Sequence, residues 1–372
     1  MSRINQLLTK AWRKGLLPEP VLERAVLEKA AGYTLREHRL QEALERLLWS
    51  LREEAALNPI GKAMAHGQIV RLLRERARAE RLWAQHPEIL EWPMSAPIVV
   101  LGQMRSGTTR LQRLLACDRR LAHTRLFETM SPVPRHGRRL ETYAGLKIMA
   151  ALNPELARIH PAAPNHPEEE FGLFSLSLFG AQIEAQWRVP SFARWWEGED
   201  RRPVYRDFRR LMQTIAWSRR DKRPRVMKAP QFMEDLDLLL EAFPDARLIR
   251  LRRDAAAVVA SSASLVWNQM RVQSDDADKA WIGAEWLRKT QRREEAAAKV
   301  LSARPELPQI KVEFDAVSRD WQGEMRRIYA FLDMELTEEV EGRMRRYLER
   351  AERSGFRGHS YNPQEFGLSG AF

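Results

Sequence analysis

The spacing of hydrophobic positions changes near residue 95, and that change organises the chain. Before it, apolar residues recur at i, i+3 and i+4: Leu40, Ala43, Leu44, Leu47, Leu48 and Leu51. This is the stripe of an amphipathic helix. The stretch 69–83 keeps the same spacing with Arg and Glu between the apolar positions. Asn58-Pro59 and His86-Pro87 punctuate the segment. Residues 1–94 therefore predict a helical region that acts as a lid or packing unit. A basic helix for membrane surfaces is the lesser alternative.

Beyond residue 95 the runs shorten. Ala96 to Gly102 is apolar and β-branched, as in a buried parallel strand. A turn of small residues and a helical pattern from Leu111 to Cys117 follow. Residues 225–230 read as a strand end and turn, and 233–243 as a helix stopped by Pro244-Asp245. A strand over 246–251, a helix over 255–265 and a strand over 310–314 complete the series. Strands alternating with helices predict an α/β fold with a parallel sheet. We expect that domain to span 95–372, with 1–94 as a helical extension.

Composition narrows the function. The net charge is +12, spread along the chain rather than gathered in a tail, which favours anionic ligands in general. No apolar run approaches the roughly 20 residues of a membrane span, and the first residues lack the apolar core of a secretory signal. The single cysteine, Cys117, excludes an internal disulfide and a multi-cysteine zinc site. These features predict a cytoplasmic protein.

The most informative segment is Gly102-Gln-Met-Arg-Ser-Gly-Thr-Thr109. It leaves a strand and opens a helix, where successive N–H groups and the helix dipole bind anions. Its spacing is that of a Walker A loop, but Thr108 stands in place of the lysine and the cation has moved to Arg105. That argues against an ATPase or GTPase. A second segment runs from Leu248 through Arg252, Arg253 and Asp254 to Ser261 and Ser262. Arg253 at a strand end and Ser261 eight residues on can converge on one phosphate if the chain reverses between them. Ser262 reads as a packing residue. A Walker B aspartate would follow apolar residues, whereas Asp254 follows two arginines, so no metal is implied.

These segments carry a resemblance. Gly102 to Leu111 resembles the 5′-phosphosulfate loop of sulfotransferases that use 3′-phosphoadenosine 5′-phosphosulfate, in the bacterial form with Arg-Ser-Gly-Thr-Thr. The resemblance implies a P-loop-like three-layer core and cofactor contacts from Arg105, Ser106, Gly107, Thr108 and Thr109. It assigns Arg253 and Ser261 to the 3′-phosphate. Gly355 to Tyr361, followed by Glu365 to Leu368, is similar to the family's C-terminal segment, which offers Arg357 and the Gly358 amide to the same end of the cofactor.

Sulfuryl transfer needs a cation on the leaving phosphate, a base for the acceptor and donors for the sulfuryl oxygens. Lys228, in Val-Met-Lys-Ala-Pro230, is the candidate cation, and Arg105 is also counted as catalytic. Relatives carry histidine where this chain has Pro230 and Phe232, so the base comes from elsewhere. Glu169 or Glu168 is preferred, with His160 and His166 as rivals and Glu128 as an outside candidate that could also orient Arg105. An acidic first helical turn is the alternative for Glu168 to Glu170. Trp187, Phe192, Trp195, Trp196 and Tyr205 could line an acceptor pocket, though core packing is favoured for most of them.

The function predicted is transfer to a small-molecule, glycan or lipid hydroxyl, or an amine. No nucleic-acid partner is expected, and a homo-oligomer is left open. An ATP-dependent small-molecule or nucleotide kinase on the same fold is the alternative, with a non-catalytic anion-binding protein behind it.

Overall fold

The computed structural model describes residues 2–159, 161–353 and 362–368. Five strands form one parallel sheet: β1 (Ile98–Leu101), β2 (Ala122–His123), β3 (Arg225–Met227), β4 (Arg247–Arg252) and β5 (Gln309–Glu313), in the order β2-β3-β1-β4-β5. The order reverses at β1, which pairs with β3 on one side and β4 on the other. Such a switch point opens a crevice at the carboxyl ends of the strands.

β1 is buried throughout, and its side chains alternate between two cores. Val99 and Leu101 face a core shared with Met227, Phe174, Phe208 and the N-terminal Leu44 and Ile69. Ile98 and Val100 face a second core with Leu111, Leu114, Val312 and Ile328. The sheet is therefore the middle of three layers. The helices Arg24–Ala31, His38–Glu53 and Pro59–Gln85 share the first core rather than enclosing one of their own.

Several boundaries differ from the sequence pattern. The helix expected over 233–243 breaks at Asp235 into Gln231–Glu234 and Leu236–Ala242. The Asp235 carboxylate is buried and accepts hydrogen bonds from Arg201 at 2.7 Å, Gln231 at 3.0 Å and Tyr205 at 3.2 Å. The apolar segment 171–179 is helical only over Phe171–Ser175, and beyond it Leu178 (φ +53°) and Gly180 (φ +108°) sit at positive φ. The helix expected over 255–265 instead runs as Ala255–Gln273. The strand at 225–230 ends at Met227, so Lys228 stands just beyond it. Among the described residues, no helix is long and apolar enough to cross a membrane, and no cluster of His, Cys, Asp or Glu could hold a metal.

Candidate active site

The loop after β1 turns sharply into the helix Thr108–Leu115. Two residues sit at positive φ, Arg105 at +66° and Gly107 at +92°. Gly107 is required twice over. Its φ disfavours any side chain, and an added Cβ would lie 2.5 Å from the Phe314 ring. At Gly102 an added Cβ would lie 2.9 Å from both the Leu251 carbonyl oxygen and the Thr108 methyl. Arg105 is a strained non-glycine residue, and Arg253 holds it by donating to its carbonyl oxygen at 2.7 Å.

The two predicted segments meet here. The Arg105 guanidinium donates to the Ser261 hydroxyl at 3.1 Å. Ser262, expected only to pack, also donates to the Met104 carbonyl at 3.2 Å. The Arg253 guanidinium lies over Phe314, 4.4 Å from the ring centre. The Ser106 hydroxyl closes the turn by donating to the Gln103 carbonyl at 2.6 Å. The Thr108 and Thr109 N–H groups open the helix, where no preceding helical carbonyl can reach them.

Lys228 faces this loop from the adjacent strand end. It is almost wholly buried, at 1% exposure. Its ammonium donates to the Thr109 hydroxyl at 2.9 Å and pairs closely with the Glu169 carboxylate. The backbone of Lys228 is held separately, its N–H donating to Glu170 Oε2 at 2.8 Å. Neighbouring glutamates thus grip one lysine at both ends. The Glu168 carboxylate accepts from the Glu169 N–H at 3.1 Å, and its carbonyl accepts from Gln112 at 3.1 Å.

Burial pushes the Glu170 carboxyl up to about 8, against opposing hydrogen bonds from the Lys228 N–H and Thr124 and the nearby charge of Arg225. Glu170 is the residue that sequence reasoning missed. Three consecutive acids read as a solvated helix start, and nothing in their order says that the third is buried.

Glu128 does not orient Arg105. It accepts from the Arg125 N–H at 2.9 Å and from Arg219 at 3.3 Å, closing its own short helix. His166 is exposed. The aromatic cluster belongs to the core: Trp187, Phe192, Trp196 and Tyr205 are buried, and the Trp196 indole donates to Leu178 O at 2.9 Å. His160, Arg357 and Gly358 lie outside the described residues.

The arrangement joins two arginines, a lysine, hydroxyls and helix-start N–H groups at the sheet's switch point. That donor set and the glycine cradle fit a ligand with more than one anionic group.

Comparison with known proteins gives concordant results. Among curated proteins, none matches the sequence. The structure is similar to sulfotransferase STF1 of Mycobacterium tuberculosis H37Rv, with 27% identity over 93% of this chain and 94% of that one and a TM-score of 0.79. It shares the fold of sulfotransferase STF9 of Mycobacterium avium, with 22% identity over 92% and 91% and a TM-score of 0.81. Residues 97–338 match the sulfotransferase family. That span takes in all five strands and both anion-loop segments, and the chain belongs to the sulfotransferase family of transferases.

Proposed function

We propose that the protein moves a sulfuryl group from 3′-phosphoadenosine 5′-phosphosulfate to a hydroxyl or amine acceptor by in-line displacement. The donor supplies a sulfur–oxygen bond that breaks as the acceptor bonds to sulfur, releasing 3′-phosphoadenosine 5′-phosphate. The loop Gly102 to Thr109 holds the 5′ end through Arg105, Ser106, Gly107, Thr108 and Thr109. Arg253 and Ser261 hold the 3′-phosphate, joined by Arg357 and the Gly358 amide. Residues 95–372 form the transferase domain in this reading, and 1–94 its helical extension.

The observation that carries the reading is the position of Lys228 between the Thr109 hydroxyl and the Glu169 carboxylate. Lys228 neutralises charge on the departing phosphate. An anionic donor competes for that ammonium and frees Glu169 to take the acceptor's proton. Glu168 and His160 are the other candidates for that base. Glu170 acts through Lys228, fixing its backbone opposite Glu169.

Thermal stability tests the donor class. A ligand that binds only the folded state at 100 times its Kd adds about 2.7 kcal/mol. 3′-Phosphoadenosine 5′-phosphate is expected to raise the melting temperature, and 5′-AMP and ATP–Mg²⁺ are not. A shift with ATP–Mg²⁺ alone would move the assignment to a kinase.

A further inference from the structure

Exposed apolar side chains are unevenly distributed. Among the described residues, five of the eleven large exposed hydrophobics lie between residues 4 and 21, and three more between 140 and 148. Leu16 and Leu140 are each 71% exposed, and Leu7 and Ile148 each 60%. The helix Arg138–Leu152 buries none of its residues. Leu140, Tyr143, Lys147 and Ile148 recur at helical spacing on one exposed face.

Charge accompanies these faces. Before Glu19 the chain carries Arg3, Lys10, Arg13 and Lys14 and no acid. Arg139 and Lys147 are exposed on the second helix. Its one acid, Glu141, is paired with Arg135. Both segments are tied to the same end of helix Ala255–Gln273. Asn5 accepts from the Ile60 N–H, beside Asn58, which donates to Val272 O at 3.1 Å and Gln273 O at 3.0 Å. Asn153 donates to Asn268 O at 3.0 Å, and Arg271 pairs with Glu155.

We propose that these two segments, Ser2 to Leu17 and Arg138 to Leu152, seat the protein on an anionic membrane surface, apolar residues inserted and cations at the headgroups. The helices have 12 and 15 residues, about 18 and 22 Å, too short to span the roughly 30 Å hydrocarbon core. Their place is flat in the interface. A second copy is disfavoured because self-association would bring cationic stripes together. Nucleic acid would leave the leucines without a partner.

The test is co-sedimentation of the full chain with phosphatidylcholine vesicles, with and without phosphatidylglycerol. Binding is expected to be at least about tenfold stronger with the anionic lipid and to weaken with salt. Leu7→Glu and Leu140→Glu should each lower it about tenfold, and Lys10→Gln and Lys14→Gln about fivefold each. All four positions are exposed, so the melting temperature should hold. Equal binding to both vesicle types, no binding, or indifference to the leucine substitutions would overturn the proposal. So would a dimer in lipid-free solution that Leu140→Glu dissociates, which would give the face to a second copy.

Discussion

Two buried lysines sit in very different company. Lys289 is 4% exposed and lies between helices, closely paired with Glu184, 3.4 Å from Glu285 and 4.0 Å from Glu197. Arg194 and Arg288 each reach Glu285 at 2.8 Å, and together with Lys289 they hold its carboxyl far below the usual range despite burial. That cluster is saturated. Lys228 is buried more deeply but has one carboxylate and one loop hydroxyl. Burial alone therefore does not set a lysine's surroundings. What distinguishes Lys228 is that it faces one carboxylate rather than three and donates to a hydroxyl of the loop after β1.

The sharpest test exchanges the two. Lys289→Met leaves the Glu184 carboxylate without its cation, while Glu285 and Glu197 keep Arg194 and Arg288, and should cost about 3–5 kcal/mol of stability. Ligand shifts should persist wherever the protein folds. Lys228→Met should lower kcat about 10²- to 10³-fold with a smaller change in melting temperature, measured by sulfate transfer and calorimetry. If Lys289→Met abolished turnover in folded protein, the distinction would collapse.

Gly107→Ala attacks the loop that faces Lys228. Strain at φ +92° and contact with Phe314 should cost about 1–3 kcal/mol and abolish the shift by 3′-phosphoadenosine 5′-phosphate. Removing one hydrogen-bonding group from the second segment is milder. Ser261→Ala should weaken that nucleotide about tenfold, read by titration calorimetry, and leave 5′-AMP unchanged.

Glu170→Gln gives the smallest change near pH 5 and the most specific signature. The unfolded carboxyl releases its proton near 4.5 and the folded one near 8, so this group's contribution to stability falls as pH rises between those values. The glutamine keeps an acceptor for the Lys228 N–H and cannot ionise. Relative to the parent, its melting temperature should climb steadily from pH 4.5 to 8. Parallel curves would show that Glu170 does not titrate there.

Much of the candidate site's geometry was legible because a strand-to-helix turn is local. Gly102, Arg105 and Gly107 are fixed by the shape of one turn, and the separation of Arg253 and Ser261 is set by a strand end and two helical turns. Lys228 was legible from its place after an apolar strand. The misreadings come from non-local contacts. Asp235 breaks an otherwise continuous helical pattern because Arg201, far away in sequence, binds its carboxylate. Glu128 turned from Arg105 to Arg219 for the same reason.

The sequence by itself determined the period change near residue 95, the parallel sheet and the donor-rich composition of two segments. All three follow from side-chain spacing and backbone freedom within a few residues. Only the tertiary structure decided that Glu170 is buried beneath Lys228, that Glu169 faces its ammonium, and that the tryptophans belong to the core. Burial depends on which distant surfaces close over a residue, and hydrogen-bond pairing depends on where the sheet order brings strand ends together. Neither is written in the local pattern.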